Sequence, residues 1–469
     1  MRRWLSGLTL VLLSAGVSVL AGETNRAIEQ WQNFVKHTGK SQHQQWLAAI
    51  MDPKAIALAK RWKDLRGYDA YDKIDAYSLP AELKPGLTLN KHNLAQHPWL
   101  SDYLPRDVIN SLAAEKGYVR EITIVPTNTY YMNEGVLNAT LAVRDKQWVP
   151  TTNENGTLVN SDGTATLLND ETAAAIPYLH PQDGLQLNWT FVAHGVGTET
   201  LLFDPMISNS CDGEGRLDVQ YEGLIWWQKF HGRQSIKPLG SIADKDRFVE
   251  GGSLFVLSPN DVSGIAAVRQ RAARGDESDD FRIFLPSNRR TRVLSGNDAQ
   301  DPMYYGLEVS WDDWRAFWAK TDLQTFEYNL VGEKLILASP ETGYIYRSAN
   351  MAESQCAWNS MEMELRPVWV LEIKDKKGVY QYKTRTLYID QENYYAQYQE
   401  MTDQRDQPYR TWDDSRSWRP FDGDAQWDHI TVHNEFNNRL NIITMTPVWD
   451  DRDIKVTEEY FDIDQLRDL

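Results

Sequence analysis

Between Arg366 and Asp403 the chain reads RPVWVLEIKDKKGVYQYKTRTLYIDQENYYAQYQEMTD. β-branched and aromatic residues dominate this stretch, so it has to enter a sheet. Val368 to Ile373 is apolar at both parities, the mark of a strand covered on two faces. DKKG then supplies a turn. In the next run Tyr380, Tyr382, Thr384, Thr386 and Tyr388 share one face, and Val379, Gln381, Lys383, Arg385, Leu387 and Ile389 the other. A third run extends from Tyr394 to Met401. The aromatic–threonine face is amphipathic, which suits either cross-strand packing or the wall of a wide cleft.

Strand patterns fill most of the chain from about residue 118. They include YVREITIVPTNTYYMN, ATLAVRDKQWVP, QLNWTFVAHGVG, RLDVQYEGLIWWQKF, SLFVLSP, FRIFLPS, TRVLS, FEYNLVGEKLILAS, HITVHNEF and LNIITMTPVWD. Short turns between them predict antiparallel pairing. SWDDWRAFWAKT interrupts the strands, and Trp311, Trp314 and Trp318 fall on one face of a helix expected over 311–320. Before the strands, residues 25–66 read as two amphipathic helices broken at Pro53, which cap something larger. PRDVINSLAAEKG adds a short helix, and EEYFDIDQLRDL closes the chain with another.

The N-terminus, MRRWLSGLTLVLLSAGVSVLAGE, has two arginines, an apolar run and Val19/Ala21 before Gly22. This predicts a secretory signal peptide over 1–21. The expected division is then a helical or mixed segment over 22–115 and a β domain over 116–469. In an exported chain Cys211 and Cys356 are free to form a disulfide. The balance of 49 basic against 66 acidic residues, net −17, argues against nucleic acid, whose phosphates need cations.

Signatures of chemistry are absent from the sequence. There is no G-x-S-x-G, no H-E-x-x-H, no G-x-G-x-x-G and no Walker A motif. His429, Thr431, His433 and Glu435 share a strand parity, and we read them as the solvent face of an amphipathic strand rather than a metal site. No cofactor, metal or catalytic residue is expected. Arg282, Arg289, Arg290 and Arg292 form a basic cluster in an acidic protein, with Arg289, Arg290 and Arg292 the patch singled out. It suits cross-strand pairing with acids, or an anionic head group or acidic partner.

Several stretches, in shared order over roughly 80–460, resemble a bacterial family known as domain of unknown function 1329. They are PYLHPQDGLQLNW, FRIFLPSNRRTRV, LQTFEYNLVGEKLI, and ELRPVWVLEI followed by YKTRTLYID. The chain departs from the family pattern at VLSGN after the arginine cluster and around Asn188-Trp189. The resemblance implies a fold similar to the outer-membrane lipoprotein localisation carriers: a strongly curved, unclosed antiparallel half-barrel, covered by helices, with a cavity for acyl chains. It also implies association with inner-membrane exporters of the resistance-nodulation-division type.

The combined expectation is a mainly β protein with α elements. It is a periplasmic carrier or chaperone, not an enzyme, for a lipid or lipid-like molecule, working beside such an exporter. Tyr221, Trp227, Trp311, Trp314, Trp318, Phe326, Tyr328, Tyr380, Tyr382 and Tyr388 are the expected cavity lining. The alternatives are a ligand-free adaptor of an envelope transport complex and, behind it, an envelope hydrolase with a scattered site.

Overall fold

The protein is described here by a computed structural model covering residues 25–295, 298–304, 306–449 and 458–467. The expected signal peptide lies outside the described residues. Helices α1 (Arg26–Thr38), α2 (Ser41–Ile50), α3 (Pro53–Arg66) and α4 (Ala70–Ile74) come first. Asn25, Asp52 and Asp69 cap three of them through side-chain bonds to first-turn amides, and Gly39 and Gly67 end two of them in the left-handed conformation. Where two helices were expected over 25–66, three form, because the chain also breaks at Gly39-Lys40.

Two short strands, β1 (Thr88–Asn90) and β2 (Glu121–Ile124), flank α5 (Arg106–Ala113). There follow α6 (Glu134–Asp145), the small hairpin β3 (Thr151–Thr152) and β4 (Leu158–Val159), then α7 (Asp170–Ala173) and α8 (Gly184–His194). The first half of the main sheet is β5 (Thr200–Cys211), β6 (Leu217–Lys229), β7 (Phe248–Ser258), β8 (Ala266–Ala272), β9 (Asp280–Leu285) and β10 (Arg290–Val293). The second half is β11 (Phe326–Ala338), β12 (Ala349–Met351), β13 (Trp358–Asp375), β14 (Thr384–Asp390), β15 (Ala396–Thr402), β16 (Pro408–Trp418), β17 (Ala425–Asn434) and β18 (Arg439–Pro447). The short helix α9 (Ile463–Leu466) ends the described chain.

Two segments expected as strands are helices. ATLAVRD belongs to α6, where Asn133 caps the first turn and Val136, Leu137 and Thr140 are buried at helical spacing. QLNWTFVAH belongs to α8, started by the Asp183 cap. Leu187 to Phe191 is buried without a break, so no helical period shows in the sequence.

Sixteen strands make one sheet in the order β1-β2-β13-β14-β15-β16-β17-β18-β5-β6-β7-β8-β9-β10, with β11 and β12 also paired to β13. Pairing is antiparallel except between β2 and β13, so the sheet is mixed. The path ends at β1 and β10 and does not close into a barrel. Its curvature follows from a single pair of neighbours. Asp312 bonds Arg269 on β8 and Asp313 bonds Arg385 on β14. Eight inter-strand steps separate β8 from β14, about 38 Å in a flat sheet. Two adjacent residues span that interval only because the sheet curls around them.

The concave side holds the main apolar core. Helices α1–α3 close part of it, burying Trp31, Trp46 and Trp62 completely. Each indole N–H finds a partner, as buried tryptophans require: Trp31 and Trp46 donate to Asn128 Oδ1 at 2.8 and 2.9 Å, and Trp62 to the Met132 carbonyl at 2.8 Å. A buried charge network ties these helices to the sheet. Arg366 bonds Asp390 at 2.7 Å and Glu392 at 2.9 Å, and Arg66 at the end of α3 reaches the other oxygen of Glu392 at 3.2 Å.

On the convex side α5, β1, β2 and the start of β13 cover one apolar cluster, and α9 covers another around Trp226, Phe230 and Phe255. This convex cover corrects the solvent-face reading of His429 and His433. His429 is buried beneath Trp358, with ring centroids 4.9 Å apart. His433 Nδ1 lies 2.8 Å from Asp107 of α5. Cys211 and Cys356 are bridged, with Cα atoms 5.8 Å apart. No helix among the described residues is long and apolar enough to cross a membrane.

Candidate functional site: a concavity filled by its own insert

The described residues of the segment 298–321 run into the concave side of the sheet. Instead of the helix expected over 311–320 the segment forms there a single 3₁₀ turn, Trp311–Asp313, after an earlier one at Asp298–Gln300. The turn is a capping box: the Ser310 N–H and hydroxyl both donate to Asp313 Oδ2 at 2.8 Å. Beyond it Trp314 is extended, and Arg315 and Ala316 both take positive φ, 50° and 72°. Two successive non-glycine residues in the left-handed region survive only where their surroundings hold them.

Those surroundings are ionic as well as apolar. Arg269 Nη1 donates to Asp312 Oδ1 at 2.8 Å, and Arg385 Nη2 to Asp313 Oδ1 at 2.6 Å. The hydroxyls of Tyr380 and Tyr382 donate to the second oxygens of the same two aspartates, at 3.1 and 3.0 Å. Arg315 of the insert pairs with Glu250 of β7 at 2.9 Å, and Trp318 Nε1 donates to that carboxylate at 2.6 Å. At the start of the insert Glu308 pairs with Arg410 of β16 at 3.0 Å. Every one of these charged groups is buried. Burial opposes charge on Arg269 and Arg385, but the aspartates outweigh it and hold both guanidinium groups above their ordinary pKa.

The aromatic side chains of the insert fill the remaining space. Trp311 meets Phe281 edge-on at 5.4 Å and Trp314 lies 5.5 Å from Trp427. Trp318 lies directly on the backbone of Gly252, where an added Cβ would come within 2.9 Å of the ring. Tyr304 stacks on Tyr221 at 5.2 Å. Two small clefts stay open beside it, one of about 40 Å³ bounded by Trp311, Trp314, Trp318, Ile225, Leu254 and Phe281 and one of about 30 Å³ along Arg315 to Thr321. Each is room for a few waters, against ~300–1,000 Å³ for an ordinary ligand pocket.

Of the ten residues expected to line a cavity, nine gather in or against this core: Tyr221, Trp227, Trp311, Trp314, Trp318, Phe326, Tyr328, Tyr380 and Tyr382. They do not enclose an open cavity. Tyr388 is on the other side of the sheet, where its hydroxyl donates to Glu400 at 2.8 Å. The shared parity expected from Tyr380 to Tyr388 fails because β14 begins only at Thr384. Tyr380 and Tyr382 approach as irregular chain pointing inward, and within β14 it is Arg385, Leu387 and Ile389 that face the core. Arg290 and Arg292 are on the edge strand β10, exposed at all four positions, and Arg289 is exposed in the turn just before it. Among the described residues Arg289, Arg290 and Arg292 have no acidic partner, so the cross-strand pairing expectation does not hold for them.

A larger opening, about 380 Å³, lies on the convex side between α5, the β5–β6 turn and the β17–β18 turn. Its polar floor is Asp107 and His433. Burial lowers the His433 pKa, but bonding to Asp107 raises it further, for a net rise. Nε2 of the same ring is 2.9 Å from Asn438 Oδ1. With both ring nitrogens engaged, His433 latches α5 to the sheet. Among the described residues no group of three or more His, Cys, Asp or Glu side chains is placed to hold a metal ion.

The fold and its filled concavity define an open half-barrel whose interior is occupied by a strap of its own chain. The chain belongs to the family described as protein of unknown function DUF1329, which matches residues 88–467. Solved structures of similar shape include a domain described as an outer membrane lipoprotein-sorting protein from Vibrio parahaemolyticus. It is 13% identical, with 61% of this chain and 98% of that one covered and a TM-score of 0.42. A DUF1329 family protein from Desulfovibrio piger is 14% identical over 57% of this chain and 92% of its own, with a TM-score of 0.40. A LolA superfamily protein from Nitrosomonas europaea is 9% identical over the same shares, with a TM-score of 0.36. No curated protein matches the chain.

Proposed function

We propose that the protein is an exported carrier or chaperone for a lipid-like molecule, which it takes into the concavity of the open sheet when the 298–321 insert moves aside. One observation carries this reading. Beside the part closed by α1–α3, the interior of the half-barrel is filled by irregular chain held in a strained backbone conformation by side chains of the wall. A segment of this kind is separable from the scaffold, and its removal leaves an aromatic concavity. At ~0.8 kcal/mol per buried CH₂, one acyl chain entering it is a substantial ligand. No covalent step is part of the reading.

The disulfide supports an oxidising compartment, and with the expected signal peptide it favours the periplasm. Handover to an inner-membrane exporter belongs to the same proposal. The unpaired Arg289, Arg290 and Arg292, on and beside an exposed edge strand, suit an anionic group outside the chain. The test is purification from the periplasm without detergent, followed by native mass spectrometry and solvent extraction. A stoichiometric lipid-like adduct supports the carrier. A clean apo mass, unchanged after incubation with envelope lipids, overturns it and favours the ligand-free adaptor.

A further inference from the structure

The wall of the concavity carries buried cations that an oily pocket does not need. Arg269 on β8 and Arg385 on β14 approach from opposite sides of the curve, and both end on the insert. The insert offers them two adjacent carboxylates, Asp312 and Asp313, set among Trp311, Trp314 and Trp318. Tyr380 and Tyr382 add a hydroxyl to each carboxylate. An apolar body carrying a localised negative charge is the outline of a charged lipid.

We propose that the insert imitates the ligand, and that the ligand is an anionic amphiphile: an apolar tail bearing one carboxylate or phosphate, whose head replaces Asp312 and Asp313 on Arg385 and Arg269. This rests on the carrier reading above. Withdrawal of the insert leaves the guanidinium of Arg385 with no other carboxylate partner among the described residues, and an apolar tail that then covers it without a counter-charge puts it in a costly state. Arg269 keeps Asp279 at 3.1 Å. A head of one or two negative charges therefore restores the balance, and a neutral head does not. The wall also holds the strained turn directly, since Arg385 Nη1 and Gln399 Nε2 donate to the Ala316 carbonyl at 2.5 and 2.9 Å. A ligand that engages Arg385 takes away one of the restraints on the left-handed pair Arg315-Ala316.

The test titrates the full chain at pH 7.5 with lauric acid, dodecyl phosphate and methyl laurate, followed by tryptophan emission. The expected result is that at least one anion binds ~10-fold or more tightly than the ester, the scale of a charge-assisted hydrogen bond. Which anion binds names the head group. Arg385→Gln should abolish the preference and Arg385→Lys keep most of it. Asp313→Asn keeps one acceptor oxygen but turns the other into an N–H donor, so it loses part of the bonding to Arg385, Ser310 and Tyr382 together with the competing charge; it should tighten the anions more than the ester, and this variant carries the test if Arg385→Gln does not fold. Equal binding of ester and anions, or a preference that survives Arg385→Gln, overturns the inference and leaves the carrier standing. Binding of none of the three by the wild type or by Asp313→Asn overturns both.

Discussion

Replacing Trp318 by alanine separates an ordinary core residue from one that fills a ligand's place. The ring is 6% exposed and lies on Gly252, its indole N–H donates to Glu250, and the guanidinium groups of Arg269 and Arg271 sit 5.0 and 5.6 Å from it. Truncating a buried tryptophan costs about 3–5 kcal/mol in lost transfer free energy and cavity formation. Loss of the hydrogen bond to a carboxylate adds about 1 kcal/mol, kept small because Glu250 retains Arg315. The expected loss is therefore about 4–6 kcal/mol, read as a fall in the urea midpoint at unchanged slope.

The second half of the experiment adds indole, which has the shape of the missing side chain. If the strap leaves a preformed space, indole at 100 times its dissociation constant restores about 2.7 kcal/mol. A loss below about 1 kcal/mol would refute the placement of Trp318. A full loss without rescue would show that the walls collapse into the gap, which removes the basis for a separable insert.

Three further outcomes follow from the buried carboxyls, the covalent link and the exposed arginines. Burial pushes the carboxyls of Glu364 and Asp413 up to about 7 and that of Glu341 to about 8, against about 4 in an unfolded chain. The folded chain then holds more protons than the unfolded one. This stabilisation is complete below about pH 4 and is lost as pH rises through 7 to 8, so urea midpoints should be lower at pH 8.5 than at pH 6; equal or rising midpoints would contradict it. Cys211→Ser with Cys356→Ser opens a loop of 145 residues and should cost about 3–5 kcal/mol of unfolding free energy, and reduction of the wild type should match it. Arg289→Gln, Arg290→Gln and Arg292→Gln together should leave stability within about 0.5 kcal/mol, since the three are exposed and unpaired; a larger change in calorimetry would reveal a contact on that edge.

Much of the sheet was legible because its strands carry their own evidence. The apolar run from Val368 to Ile373 marks β13 as covered on two faces, and it pairs with β11 on one edge and β14 on the other. The helices α6 and α8 were not legible. Burial all round α8 removes the contrast between faces on which a period depends. Nine of the ten aromatic residues lie in or against the core, Tyr388 being the exception, yet the charged partners that position them were missed. Arg269 and Arg385 look like solvent-facing positions of ordinary strands, and only the alternation of aromatic and charged residues in SWDDWRAFW hints that something must answer Asp312, Asp313 and Arg315. Long-range ion pairs leave no local pattern. The strand parity from Tyr380 failed for a related reason, since a start delayed by a few residues inverts each face assignment that follows.

The joint between β5 and β18 has a bearing on how the chain reaches this state. Leu440 pairs with Cys211 across roughly 230 residues of sequence. The strands β5 to β10 are therefore complete long before β18 exists, and while one edge of β5 pairs with β6 the other waits unpaired in the meantime. At ~5–20 residues per second, synthesis alone leaves that edge exposed for some tens of seconds. Such an edge invites pairing with another chain, so a chain emerging into the same compartment would be safest if β5 were shielded until β18 arrives. Folding yield should fall with protein concentration, and a truncation lacking β18 should aggregate through β5.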